Sequence, residues 1–91
     1  MISPANLEIL AFVRRFIAQR THVPGDEITD DMDFFAGGLL DSLGFLDLVM
    51  ATEQRFAVVI DFADIDIEEF SRLGAFAALV GRSPPAFGEA M

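Results

Sequence analysis

Apolar residues recur at three- and four-residue spacing near the start of the chain. Leu7, Leu10, Val13 and Ile17, with Phe16 beside them, form a stripe that predicts a helix over residues 4–20. Ser3-Pro4 supplies its start, serine at the N-cap and proline at the first helical position. Glu8 falls early and Arg14, Arg15 and Arg20 fall late, the distribution a helix dipole favours. The pattern breaks at Thr21-His22-Val23-Pro24-Gly25. It resumes at Leu43, where Leu43, Leu46, Val49 and Met50 recur at helical spacing and Phe45, Leu48 and Phe56 widen the face. This predicts a second helix over Ser42–Phe56 with Ser42 as N-cap. Ser71 is placed to cap a last helix over residues 72–80, which buries Leu73, Phe76, Ala77 and Val80. Residues 66–70 read as a short helical turn. Val58-Val59-Ile60 has strand propensity but no second strand to pair with, so the expected class is all-α.

Between the first two helices lies a loop of residues 21–41, acidic early (Asp26, Glu27, Asp30, Asp31, Asp33) and glycine-rich late. Ile28, Met32, Phe34 and Phe35 are expected to pin it to the core. Loops longer than about 12–15 residues are uncommon in compact domains and are often functional. There is no internal repeat. The expected organisation is one domain over residues 1–80, followed by a flexible tail over residues 81–91.

Composition narrows the chemistry. Of the 91 residues, 53% are apolar and ten are phenylalanine, enough to build a core and to argue against disorder outside the ends. No apolar run reaches the roughly 20 residues of a membrane span, and Met1-Ile2-Ser3-Pro4 does not read as a signal peptide, so a cytoplasmic location is expected. The absence of cysteine removes disulfides, thiolate metal sites and a thiol nucleophile together. Any thiol this protein uses must be attached to it. Fifteen acids against six arginines give a formal charge of −9, which disfavours nucleic acid and anionic membranes and either speeds encounter with basic protein partners or simply keeps a small domain soluble.

Catalysis has little to stand on. His22, the sole histidine, lies in a turn of helix breakers and reads as an exposed loop residue, and no Gly-x-Ser-x-Gly elbow surrounds Ser42. The carboxylates between Asp61 and Glu69 do not make a calcium loop. Counting from Asp61, the position that needs glycine for the turn is Asp66, and the interleaved Ile65 and Ile67 mark a packed face with a solvated acidic side. Ser42 has two readings. As an N-cap it contributes about 0.5–2 kcal/mol. As a covalent attachment point it would hold a phosphodiester where free N–H groups and the helix dipole favour negative charge. Asp41 reads as a local capping group or as a contact for a basic partner.

Asp41-Ser42-Leu43, preceded by Phe34-Phe35-Ala36-Gly37-Gly38-Leu39-Leu40 and followed by an amphipathic helix ending in Glu53-Gln54-Arg55-Phe56, closely resembles the acyl carrier protein family. The resemblance spans roughly residues 4–80. It implies a four-helix bundle with a long loop between its first and second helices and a short third helix. It also implies that Ser42 receives 4'-phosphopantetheine from coenzyme A through a phosphopantetheinyl transferase. The thiol of that arm would hold acyl or aminoacyl groups as thioesters, loaded by a ligase and passed to downstream acyl-transfer or synthase enzymes with basic patches. By the same resemblance, Leu43, Asp47, Met50, Glu53 and Gln54 face partner enzymes, while Phe45, Val49, Thr52 and Phe56 point inward. Read from the residues alone, Leu43 and Met50 fit a core face equally well, and Asp47 and Glu53 a solvated one.

Three departures stand out. Gly44 sits in the first turn of the second helix, where glycine costs up to about 1 kcal/mol relative to alanine. The end of that helix reads Glu-Gln-Arg rather than a run of acids. The sequence Phe35-Ala36-Gly37-Gly38-Leu39-Leu40-Asp41-Ser42, with Ile67-Glu68-Glu69-Phe70 before the last helix, looks more like stand-alone carriers, including the D-alanyl type, than like the fatty-acid type. The competing function is an unmodified acidic helical adaptor that binds a basic partner. No sustained heptad is present, so a monomer is expected.

Overall fold

The computed structural model describes residues 4–61 and 70–85. Three α-helices carry the described structure: α1 (Pro4–Thr21), α2 (Ser42–Phe56) and α3 (Leu73–Gly81), with a single 3-10 turn at Gly25–Glu27 in the long loop. The described residues contain no strand, only isolated β-bridges. Ser3 lies outside the described residues, as does most of the helical turn expected over residues 66–70 and most of the acidic segment 61–69.

Along α1 the buried face is Ile9, Leu10, Val13 and Ile17, with Phe12 and Phe16 packed at its margin. Leu7, expected in that stripe, is instead 55% exposed. The reason lies in α3, whose last residue, Gly81, comes so close to Asn6 that a Cβ on the glycine would collide with the Asn6 side chain. The partner helix therefore ends over Asn6 and leaves Leu7 at the surface. Thr21 closes α1 by donating its hydroxyl to the Ile17 carbonyl at 2.7 Å. His22 follows in the left-handed region (φ 65°), its N–H on the Ala18 carbonyl at 2.8 Å, and its side chain is exposed.

The long loop is held from both sides. Arg14 of α1 donates Nε–H to the Ile28 carbonyl at 2.8 Å, and its guanidinium pairs with Asp30. Ile28 and Phe34 are fully buried, Met32 partly so, and Phe35 lies at the surface with its ring 5.3 Å from that of Phe45. On the other side, the loop caps α3. The Leu73 and Gly74 N–H groups donate to the carbonyls of Met32 (3.1 Å) and Asp30 (2.6 Å), satisfying first-turn donors that would otherwise lack acceptors. The α3 N-cap is Arg72, with no side-chain cap bond, so the expected cap by Ser71 is corrected. The Ser71 hydroxyl donates instead to Asp33 Oδ2 at 2.7 Å, 38 residues away, while its carbonyl accepts from Phe34 N–H at 2.6 Å.

Three rings close the core. Phe34 from the loop, Phe45 from α2 and Phe76 from α3 pack pairwise with centroids 5.8, 5.8 and 5.9 Å apart, in tilted and edge-on arrangements that aromatic quadrupoles favour. Phe12 meets Phe56 edge-on at 5.5 Å and joins α1 to the end of α2. Beyond α2, Val58 bridges Pro85 and Val59 N–H donates to the Pro84 carbonyl at 2.9 Å, so residues 84–85, within the tail expected over residues 81–91, are laid along this segment.

Candidate functional site

The start of α2 is built by its own preceding loop. Asp33 Oδ1 accepts from the N–H groups of Phe35 (2.9 Å) and Ala36 (2.8 Å), which turns the chain sharply. These bonds and the one from Ser71 hold the Asp33 carboxyl below its usual range: the Ala36 amide acts most strongly, then the Ser71 hydroxyl, against an opposing effect of burial, with Phe35 and the charge of Arg72 adding to the lowering. Gly37 follows where any Cβ would lie 2.8 Å from the Asp33 carbonyl, and Gly38 takes φ 75°. Leu40 N–H then returns to the Phe34 carbonyl at 2.9 Å, which places Asp41 and Ser42 at the head of α2.

Here the structure differs from the sequence expectation by one residue. The N-cap is Asp41, extended at φ −94° and ψ −175°, and its Oδ1 accepts from Gly44 N–H at 2.7 Å. Ser42 is the first helical residue, it is exposed, and its hydroxyl is not used for capping. The capping task is thus separated from the serine that a modification would need.

Gly44 acquires a reason. A Cβ built on it would stand 3.1 Å from Asp41 Oδ1, 3.2 Å from Arg20 Nε and 3.3 Å from Leu40 Cδ2. The absent side chain leaves room for the cap carboxylate and for Arg20, which reaches over from the end of α1. Arg20 Nη1 pairs with Asp47 Oδ2 at 3.1 Å, with both side chains about half exposed. Beside this pair an open cleft of about 400 Å³ is lined by Arg20, Thr21, Gly38, Leu39, Leu40 and Asp41.

The remaining named positions of α2 separate by face. Phe45, Val49 and Thr52 are buried and Phe56 is half-buried, with the Thr52 hydroxyl on the Leu48 carbonyl at 2.7 Å. Leu43, Leu46 and Met50 are 65%, 56% and 57% exposed, an apolar strip on the outer face, and Gln54 is exposed beyond it. Leu46, placed by periodicity with the core residues, is one of the strip. Asp47 borders it, paired with Arg20. Glu53 is committed to its own chain: its Oε2 accepts from Ile60 N–H at 2.8 Å, and its carbonyl accepts from Ala57 and from Val58 at 3.2 Å. Periodicity could not have shown that bond, which spans a left-handed turn at Ala57 (φ 54°).

A helical domain with an exposed serine leading its central helix, behind a long, hydrogen-bonded loop, has the form of a carrier domain. Residues 11–80 match the family model described as a phosphopantetheine attachment site, and the chain belongs to that family, whose prosthetic group is 4'-phosphopantetheine. It is similar to an acyl carrier protein of Thermotoga maritima, 30% identical over 73 residues, covering 80% of this chain and 88% of that protein. It is also similar to a D-alanyl carrier protein of Bacillus velezensis, 37% identical over 41 residues, covering 45% of this chain and about half (53%) of that protein. No helix among the described residues is long and apolar enough to cross a membrane, and among them no group of three His, Cys, Asp or Glu side chains comes together to hold a metal ion.

Proposed function

We propose that this protein is an acyl carrier whose Ser42 hydroxyl is esterified with 4'-phosphopantetheine from coenzyme A, in a four-helix domain completed by a short helix ahead of α3. The observation that carries this reading is Ser42 itself. It is exposed at the first position of α2, in a chain of the phosphopantetheine attachment family, while Asp41 takes over the cap. The local electrostatics fit a phosphodiester. The first-turn N–H groups of Ser42 and Leu43 have no acceptor within the helix, and the positive end of the helix dipole lies there. Attached at this point, the arm would supply the terminal thiol that a cysteine-free chain lacks and hold an acyl or aminoacyl group as a thioester.

The chain's own residues position and present. Asp41 fixes the first turn, so the serine projects from a rigid element, and the Asp33 turn fixes the loop that leads into it. Leu43, Leu46 and Met50 give partner enzymes an apolar strip, with Gln54 and the Asp47 carboxylate at its border. The partners are a phosphopantetheinyl transferase, a loading ligase and acyl-transfer or synthase enzymes with basic patches, attracted to a surface of charge −9. Likeness to both an acyl and a D-alanyl carrier leaves the cargo as the class of acyl and aminoacyl groups.

An adaptor that works unmodified predicts otherwise. Incubation with coenzyme A, magnesium and a broad-specificity phosphopantetheinyl transferase should add one phosphopantetheine to the wild type and none to Ser42→Ala, read by intact mass. Folded wild type that gains no mass, while a control carrier does, would overturn the proposal in favour of the adaptor.

A further inference from the structure

A phosphodiester on Ser42 enters a helix start that already holds the Asp41 carboxylate at the cap, with the Asp47 carboxylate in the next turn of α2. Helix N–H groups offset part of that repulsion, but a full positive charge would offset more. Arg20 is placed to supply it. Its Nε and Asp41 Oδ1 lie 3.2 and 3.1 Å from the same point, the position a Gly44 Cβ would occupy, so the guanidinium already lies over the first turn of α2. Its present partner, Asp47, is held at 3.1 Å in a pair that is 41% and 45% exposed. Such a solvated pair is weak and readily exchanged. A guanidinium, by contrast, offers a planar fork of donors suited to two phosphate oxygens at once. The cleft beside it continues along Thr21, Gly38 and Leu39, over the buried Leu40, so one partly exposed leucine lies next to a charged head. That arrangement matches the beginning of a pantetheine arm, an anionic phosphate followed by a branched hydrocarbon segment.

We infer that Arg20 is the phosphodiester's counter-ion: on modification of Ser42 it exchanges Asp47 for the phosphate, and the cleft between the end of α1 and residues 38–41 receives the proximal part of the arm. This rests on the carrier reading and deepens it. The consequence is a difference between unmodified and modified protein. In the first, the Asp47 carboxylate is neutralised by Arg20; in the second, it is released beside the Leu43–Leu46–Met50 strip. Enzymes that dock on α2 would thereby meet a more acidic face once the arm is in place.

The test uses the full chain, labelled with nitrogen-15, before modification and after material has been driven to full modification as judged by intact mass. In the wild type, modification should shift the Arg20 Nε–H signal and the amides of Thr21, Gly38, Leu39 and Leu40, in addition to Asp41, Ser42 and Leu43. In Arg20→Gln the shifts at Thr21 and Gly38–Leu40 should fall to the level of residues remote from the site, whereas Arg15→Gln should leave them as in wild type. Phosphorus-31 spectra should show a phosphodiester signal whose position depends on Arg20. Modified protein with an unmoved Arg20 Nε–H, or with shifts confined to Asp41–Leu43, would overturn the inference while leaving the carrier reading standing. Failure to gain the mass at all would remove both.

Discussion

Separation of the cap from Ser42 makes a quantitative prediction. If Asp41 caps α2 through its 2.7 Å bond to Gly44 N–H, then Asp41→Ala removes that acceptor and leaves a first-turn donor to water. Loss of an aspartate cap costs about 1 kcal/mol, within a range of about 0.5–2. Ser42→Ala removes an exposed hydroxyl from the first helical position, where alanine is the better helix former, so its effect should stay within about 0.5 kcal/mol. Asp41→Asn, whose amide oxygen can accept the same bond, should recover most of the loss. For a domain of this size, 1 kcal/mol corresponds to about 4–8 °C in Tm. Urea titrations and thermal melts of the three variants at one pH would read the difference directly. The reasoning is refuted if Ser42→Ala costs more than Asp41→Ala, because the serine would then be the cap.

Further outcomes follow from the same geometry. Phe34→Ala opens the junction of loop, α2 and α3 and should cost about 3–5 kcal/mol by chemical denaturation, unless the site collapses around it; a loss below about 1 kcal/mol would show that the three-ring cluster is not packed as described. The Asp33 carboxyl is held below its usual range chiefly by the Ala36 amide. Its folded-state value is depressed, so its contribution is present above the unfolded value and is lost as pH falls through the folded one. Asp33→Asn should therefore flatten the acid limb of the stability-versus-pH curve; an unchanged limb would contradict the assignment. Gly44→Ala should fail to deliver the gain of about 1 kcal/mol that helix propensity alone promises, because the new methyl crowds Asp41, Arg20 and Leu40; stabilisation by that amount in thermal melts would show that these neighbours yield freely.

The parts legible in the sequence were those that periodicity encodes. The three α-helices and the anchoring of the long loop by Ile28 and Phe34 follow from spacing and apolarity, the inward set Phe45, Val49 and Thr52 follows from the family resemblance, and all are where they were expected. What eluded the pattern depended on other parts of the chain. Asp41 and Ser42 are equally good caps, so only backbone geometry chooses between them. Leu7 has the right spacing, but α3 ends over Asn6. Ser71 has the right chemistry for a cap, but its hydroxyl is taken by Asp33. Glu53, expected at the partner face, has a further task that spacing does not encode: its carboxylate holds Ile60 N–H across the turn at Ala57. In the candidate site, the family resemblance rested on the residues around Ser42, whereas the approach of Arg20 from the end of α1 is a tertiary fact that no local motif contains.

The central claim is that the arm is carried by Ser42 and by no other hydroxyl. Cleavage after Arg20 and Arg55 releases a peptide of residues 21–55, which holds Ser42 together with Thr21, Thr29 and Thr52. Fragmentation of that peptide, after treatment with coenzyme A and a phosphopantetheinyl transferase, should place the added phosphopantetheine on Ser42 alone. Modification at any of the three threonines, or a peptide that stays unmodified while a control carrier is converted, would contradict the account.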